Sequence, residues 1–141
     1  MAHKSPLEAI QAQVTGDIYD LVNAVRRNRI KAGAKQRTLN SAKLGPARLR
    51  RRIEEIAEHR DAAYVGLVFA AANLKTMARF TDPDSAPGAI ETLERFSERL
   101  RKIAVVQLER ADTAREQLDL SEGPINRQLM DSFLKDILGE R

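Results

Sequence analysis

"LRRRIEEIAEHRDAAYVGLVFAAANLKTM", residues 49–77, decides the fold. Leu49, Ile53, Ile56, Arg60, Ala63, Leu67, Ala70, Leu74 and Met77 follow one another at steps of four and three in alternation. That spacing holds a single stripe on one side of a helix, the mark of a seam between two helices. Pro46 suits a first helical position, so a helix over about 46–80 is predicted. "TDPDSAPG", residues 81–88, is dense in turn formers. Beyond it Ile90, Leu93, Ser97, Leu100, Ala104, Gln107, Ala111, Ala114 and Leu118 repeat the same alternation and predict a helix over about 87–118. Two long helices joined by so short a turn must lie antiparallel. Pairing outward from the turn sets Met77 against Ile90, Leu74 against Leu93, Leu67 against Leu100 and Leu49 against Leu118. Ala63 with Ala104 and Ala70 with Ser97 then allow close approach, and Arg60 with Gln107 forms a polar layer that fixes register.

The flanks extend this hairpin. Ser5-Pro6-Leu7-Glu8 reads as a capped helix start. Leu7, Ile10, Val14, Ile18, Leu21 or Val22, and Val25 recur every three or four residues after it. A first helix over about 5–32 is predicted, with Gly33 as its stop and residues 34–45 as a loop. After the "SEGP" break at 121–124, Ile125, Leu129, Phe133 and Ile137 share one face of a short helix over about 124–138. The expected fold is all-α: a four-helix bundle-like domain built on the long antiparallel hairpin, occupying residues 1–141 as a single domain.

Composition narrows the function. The chain has no Cys, which excludes disulfides, zinc–cysteine sites and thiol redox chemistry. The N-terminal "MAHKSPLEAI" lacks the apolar core of a signal peptide. The longest apolar run, residues 62–74, is too short to span a bilayer. A cytoplasmic protein is expected, with no membrane partner.

Catalytic groups are sparse. The two histidines are His3 and His59. His3 lies near the chain start, and His59 is expected on a solvated, charged helix face. The "HRD" at 59–61 matches a kinase catalytic loop in letters alone, because it falls within a helix and no Gly-rich loop accompanies it. Glu55 and Glu58 precede His59 at the wrong spacing for a di-metal bundle, which needs Glu-x-x-His on two helices. Glu54, Glu55, Glu91, Glu94, Glu98 and Glu109 are expected as exposed helix charges paired with Lys or Arg nearby. No enzyme activity, metal or cofactor is expected.

The charge distribution is the functional clue. Residues 26–52, "RRNRIKAGAKQRTLNSAKLGPARLRRR", hold eleven of the 24 Lys and Arg and none of the 20 Asp and Glu. The formal +4 of the chain is therefore +11 on this segment and −7 on the remainder. Arg48, Arg50, Arg51 and Arg52 stand at the start of a helix, where the dipole disfavours cations. A cluster placed against local preference points to an external anion. The candidate phosphate-binding residues are Arg26, Arg27, Arg29, Lys31, Lys35, Arg37, Lys43, Arg48, Arg50, Arg51 and Arg52. Phosphate binding of this kind supplies affinity without reading base sequence. No aromatic lies among them, so base stacking is not indicated.

"SAKLGPARLRRRI", residues 41–53, resembles the second half of a helix-turn-helix: a small residue, a Leu-Gly turn and a basic helix for a major groove. A basic N-terminal region followed by a long helical hairpin is also similar in layout to phage small terminase subunits, and to small helical subunits of RNA-guided effector complexes. Those layouts imply DNA or RNA binding within an assembly. The sequence reading is therefore a non-enzymatic nucleic-acid-binding protein. Its alternative is a helical adaptor for an acidic protein partner. A homo-oligomer is expected, from the wide apolar arc of residues 124–138 and from a small-residue surface at Ala62, Gly66 and Ala70.

Overall fold

The computed structural model describes residues 18–39 and 44–118. Within them the chain forms three helices, α1 (Ile18–Thr38), α2 (Pro46–Arg79) and α3 (Ala89–Glu116), and no strand. The front of the expected first helix, residues 5–17, and the expected fourth helix, 124–138, lie outside the described residues, as does Lys43.

α2 is the middle layer. It is about 50 Å long at 1.5 Å per residue, and α1 and α3 both pack along it. No Cα of α1 comes within 8 Å of one in α3. Flanked on both sides, α2 is buried without interruption from Ile56 and Ala57 through His59–Val68, apart from half-buried Glu58. One cluster joins Leu21, Ala24 and Val25 of α1 to Ala62, Val65, Leu67 and Val68 of α2 and Ala104 of α3. A second, smaller cluster joins Ile53, Ile56 and Ala57 to Ala114.

The predicted seam is present. On α3 the buried residues are Ser97, Ala104, Gln107, Ala111, Ala114 and Arg115, all but the last on the predicted stripe. Arg60 Nη1 donates to Gln107 Oε1 at 2.6 Å, and Ser97 Oγ donates to the Ala71 carbonyl at 2.8 Å. The serine hydroxyl is thus satisfied across the seam. Leu67 is buried, while Leu100 is half-buried against the same cluster. The seam opens at its ends, where Leu49 and Met77 are exposed.

The turn closes on its own polar groups. Asp82 accepts from the Asp84 N–H at 3.0 Å and the Ser85 hydroxyl at 2.6 Å. Both bonds favour the carboxylate, with the serine the larger cause, and hold its pKa below the usual value. Gly88 then takes φ +81°, a left-handed conformation that other residues resist. This is why α3 begins at Ala89 and not at Pro87.

Three expectations need correction. The first helix does not stop at Gly33; it continues to Thr38, so residues 34–38 of the loop predicted at 34–45 are helix. Gly33 alone costs about 1 kcal/mol against Ala, and that is outweighed by tertiary anchors on either side of it. Ala32 is buried, Lys35 pairs with Glu55 at 2.7 Å, and Thr38 Oγ1 accepts from Arg52 Nη1 at 3.1 Å. Ala62, Gly66 and Ala70, expected as a surface for self-association, are buried within this single chain. The small residues serve packing among its own helices. The burial of His59, the third correction, belongs to the site.

Candidate nucleic-acid interface

Arg26, Arg27, Arg29, Lys31 and Arg37 are exposed on α1, and Arg48, Arg50 and Arg51 are exposed on the first turns of α2. Lys35 and Arg52 are half-buried between these helices. The structure therefore brings the end of α1 against the start of α2, Thr38 to Arg52 and Lys35 to Glu55, while Arg26 and Arg29 lie further along, near Arg60.

The start of α2 is unusually cationic. Gly45, its N-cap, supplies no side-chain cap, and the first turn holds no acid. Helix N-termini carry free N–H groups and a partial positive charge. Here Arg48, Arg51 and Arg52 add to that charge and line a shallow hollow of about 410 Å³. Arg50 pairs with Glu54 at 3.2 Å, and Arg51 with Glu55 at 3.5 Å. The exposed Arg50–Glu54 pair, one helical turn apart, stabilises by only about 0.3–0.5 kcal/mol, so an incoming phosphate can displace Glu54, whereas Glu55 also lines the hollow and is held by Lys35. The helix-turn-helix resemblance is covered only from Leu44 onward, where Arg48, Arg50 and Arg51 are exposed and Ile53 is buried.

Lys35 has a different position from the other candidates. Its ammonium donates to Glu55 Oε2 at 2.7 Å and lies 3.0 Å from His59 Nε2. A lysine has no acceptor, so Nε2 must accept and the proton must sit on Nδ1. Nδ1–H then donates to Asn28 Oδ1 at 2.9 Å, and Asn28 Nδ2 donates to the Ala24 carbonyl at 3.0 Å. His59 is thus a buried connector between α1 and α2, 6% exposed, and not the solvated group the sequence reading expected. Burial first, then the charges of Lys35 and Lys31, push its pKa down to about 4. The bond from Lys35 is in turn the main reason that the Glu55 pKa is lowered.

Its neighbours are also buried. Arg60 lies in the seam, and Asp61 is 1% exposed, accepting from Arg115 Nη1 at 2.6 Å. Arg115 Nη2 reaches Asp112 at 2.6 Å. Burial opposes the Arg115 charge, yet the bonds to Asp61 and Asp112 outweigh it and raise the pKa. Consecutive helical residues point about 100° apart, and α2 has neighbours on two sides. Three adjacent polar residues there find three different partners. Sequence reasoning missed His59, Asp61 and Arg115. One signal was available: Asn28 continues the buried Leu21–Ala24–Val25 stripe and requires a polar partner from another helix.

No group of three or more His, Asp or Glu able to hold a metal lies among the described residues. None of their helices is long and apolar enough to cross a membrane. No protein-family model, no curated protein and no solved structure matches the chain.

Proposed function

We propose that the protein is a non-enzymatic nucleic-acid-binding helical protein, holding backbone phosphates with the exposed cations of α1 and of the start of α2. The observation that carries this reading is the placement of Arg48, Arg50 and Arg51 on an acid-free, uncapped helix N-terminus, next to the end of α1 that carries the exposed Arg37. The helix terminus and its arginines favour an anion, and among the described residues the acids beside them are Glu54, in an exposed pair, and Glu55, already engaged by Lys35. Lys35 and Arg52 secure the surface from behind and do not belong to the phosphate-binding set.

The test is to change Arg48, Arg50 and Arg51 together to Gln, sparing Arg52 because it anchors Thr38. The helical spectrum and Tm should stay nearly unchanged. Affinity for labelled DNA or RNA should fall by at least about tenfold, about 1.4 kcal/mol. The log–log salt slope should become shallower, by roughly 0.9 for each phosphate no longer neutralised on duplex DNA. Failure of the unaltered protein to bind single- or double-stranded DNA or RNA at low salt would end the reading and leave an acidic protein as the partner.

A further inference from the structure

No Cα of α1 comes within 8 Å of one in α3, and a cleft lined by side chains of all three helices runs between them, with α2 as its floor. Two hollows of about 320 and 270 Å³ occupy it and share two residues, Arg60 and Arg110. The first is lined by Arg26 and Arg29 of α1, Arg60 of α2 and Arg110 of α3, with Ile30 and Gly33. The second adds the polar groups of Gln36 and Thr113. No Asp or Glu lines either hollow. Two of the four arginines, Arg60 and Arg110, lie well outside the basic stretch of sequence.

Arg60 is the unusual member. It is 7% exposed, and its Nη1 donates to Gln107, a neutral partner. Among the described residues no carboxylate pairs with it. Burial first, then the charges of Arg110 and Arg29, lower its pKa. A buried cation left without a counter-charge is strongly unfavourable in a fold. Asp61, the adjacent acid, is turned to Arg115 instead. Gln107 occupies one guanidinium donor, and the rest of the group borders the cleft. Arginine presents planar, forked donors that match phosphate oxygens.

We propose that this cleft is a phosphate-binding site, with Arg60 as its floor and Arg29, Arg26 and Arg110 as its walls, and that it takes a backbone phosphate of the bound nucleic acid. The polymer identity rests on the function proposed above; the phosphate site does not. The cleft carries the cationic surface of α1 across to α3, so the nucleic acid lies over both outer helices and not only over the start of α2. The arginine of the floor is held by the fold itself. The arginines of the walls are exposed and able to close on a ligand.

The test uses the double variant Arg29→Gln with Arg110→Gln, both at exposed positions. Its control is Arg95→Gln with Arg99→Gln, which removes the same charge from an exposed stretch of α3 outside the cleft. Two probes are read: inorganic pyrophosphate by thermal shift, and labelled single- and double-stranded oligonucleotides by anisotropy at two salt concentrations. Pyrophosphate should raise the Tm of the unaltered protein and of the control, and not that of the cleft variant. Oligonucleotide affinity should fall at least about tenfold in the cleft variant, and far less in the control. The cleft variant's salt slope should be shallower by roughly 0.9 for each duplex phosphate it no longer neutralises. Equal behaviour of the two variants with both probes would overturn the site, while polymer binding by the unaltered protein would leave the proposed function standing. Pyrophosphate stabilisation abolished in the cleft variant, with no polymer bound at low salt, would support the site, assign it to a free phosphate and end the nucleic-acid reading. A charge-preserving variant, Arg110→Lys, should retain most of the pyrophosphate effect.

Discussion

His59 gives the chain a defined response to acid. Its Nε2 accepts from Lys35, so a proton added there would face an ammonium 3.0 Å away inside a buried layer. The folded pKa is about 4, against about 6.5 in the unfolded chain. Above pH 6.5 the ring is neutral in both states and costs nothing. Between pH 6.5 and 4 the unfolded chain takes up a proton that the folded chain refuses, so stability falls as pH falls. The full loss from this one residue is about 3 kcal/mol. In His59→Gln the titrating ring is gone while the carboxylates remain. Urea midpoints measured for both proteins from pH 7 to pH 4 should therefore converge as pH drops. A constant difference across that range would show that the ring keeps an ordinary pKa. Nothing in the spacing of residues 49–77 announces this behaviour, because the heptad places His59 beside the α3 seam, where a single partner helix would leave it wet. Burial comes from α1, whose contribution to the core is small and partly polar.

Among elements, the α2–α3 pair depends on one ion pair more than on its number of charges. Asp61 and Arg115 are both nearly inaccessible and bonded at 2.6 Å, unlike the exposed Arg50–Glu54 pair. Replacing Arg115 with Met should cost about 3–5 kcal/mol, because the Asp61 carboxylate stays buried after its guanidinium is removed. Pairing that change with Asp61→Leu should recover a large part of the loss, since an apolar pair needs no solvation. Thermal unfolding of the single and double variants checks both statements; a double variant no more stable than Arg115→Met would refute the second. The seam itself was legible, as Ser97, Ala104, Gln107, Ala111 and Ala114 are buried where the alternation placed them. Arg115 was not, because a strict two-helix stripe leaves the position beside Ala114 in solvent. The extension of α1 past Gly33 was equally hidden. Its cause is pairing with Glu55 and Arg52 of another helix, which no local propensity encodes.

At the scale of the molecule, the charge asymmetry read from residues 26–52 becomes geometry only when α1 and α2 are side by side. The sequence named the exposed cations of α1 and α2, but it also included Lys35 and Arg52, which the fold turns to internal bonds. It could not include Arg110, which reaches the same cleft from α3. Proximity between Arg29 and Arg110 follows from two separate helix–helix interfaces, each invisible to a scan for runs of one charge. Those separate interfaces have a further consequence for how the protein comes apart. Because α1 packs closely along α2 while its Cα atoms stay more than 8 Å from those of α3, it can leave as a unit while the α2–α3 pair stays closed. Among the described residues its interface rests on Leu21, Ala24, Val25 and Ala32, the His59 layer and the bonds of Lys35 and Thr38 to Glu55 and Arg52. Native-state amide exchange should therefore divide into two cooperative openings. Amides of residues 21–32 should share one low opening free energy, and amides of residues 63–68 and 104–111 should open only with global unfolding. Exchange with one common free energy throughout would show that the three helices form a single cooperative unit. Under acid, where His59 takes its proton, the first opening should become more frequent while the second is comparatively spared.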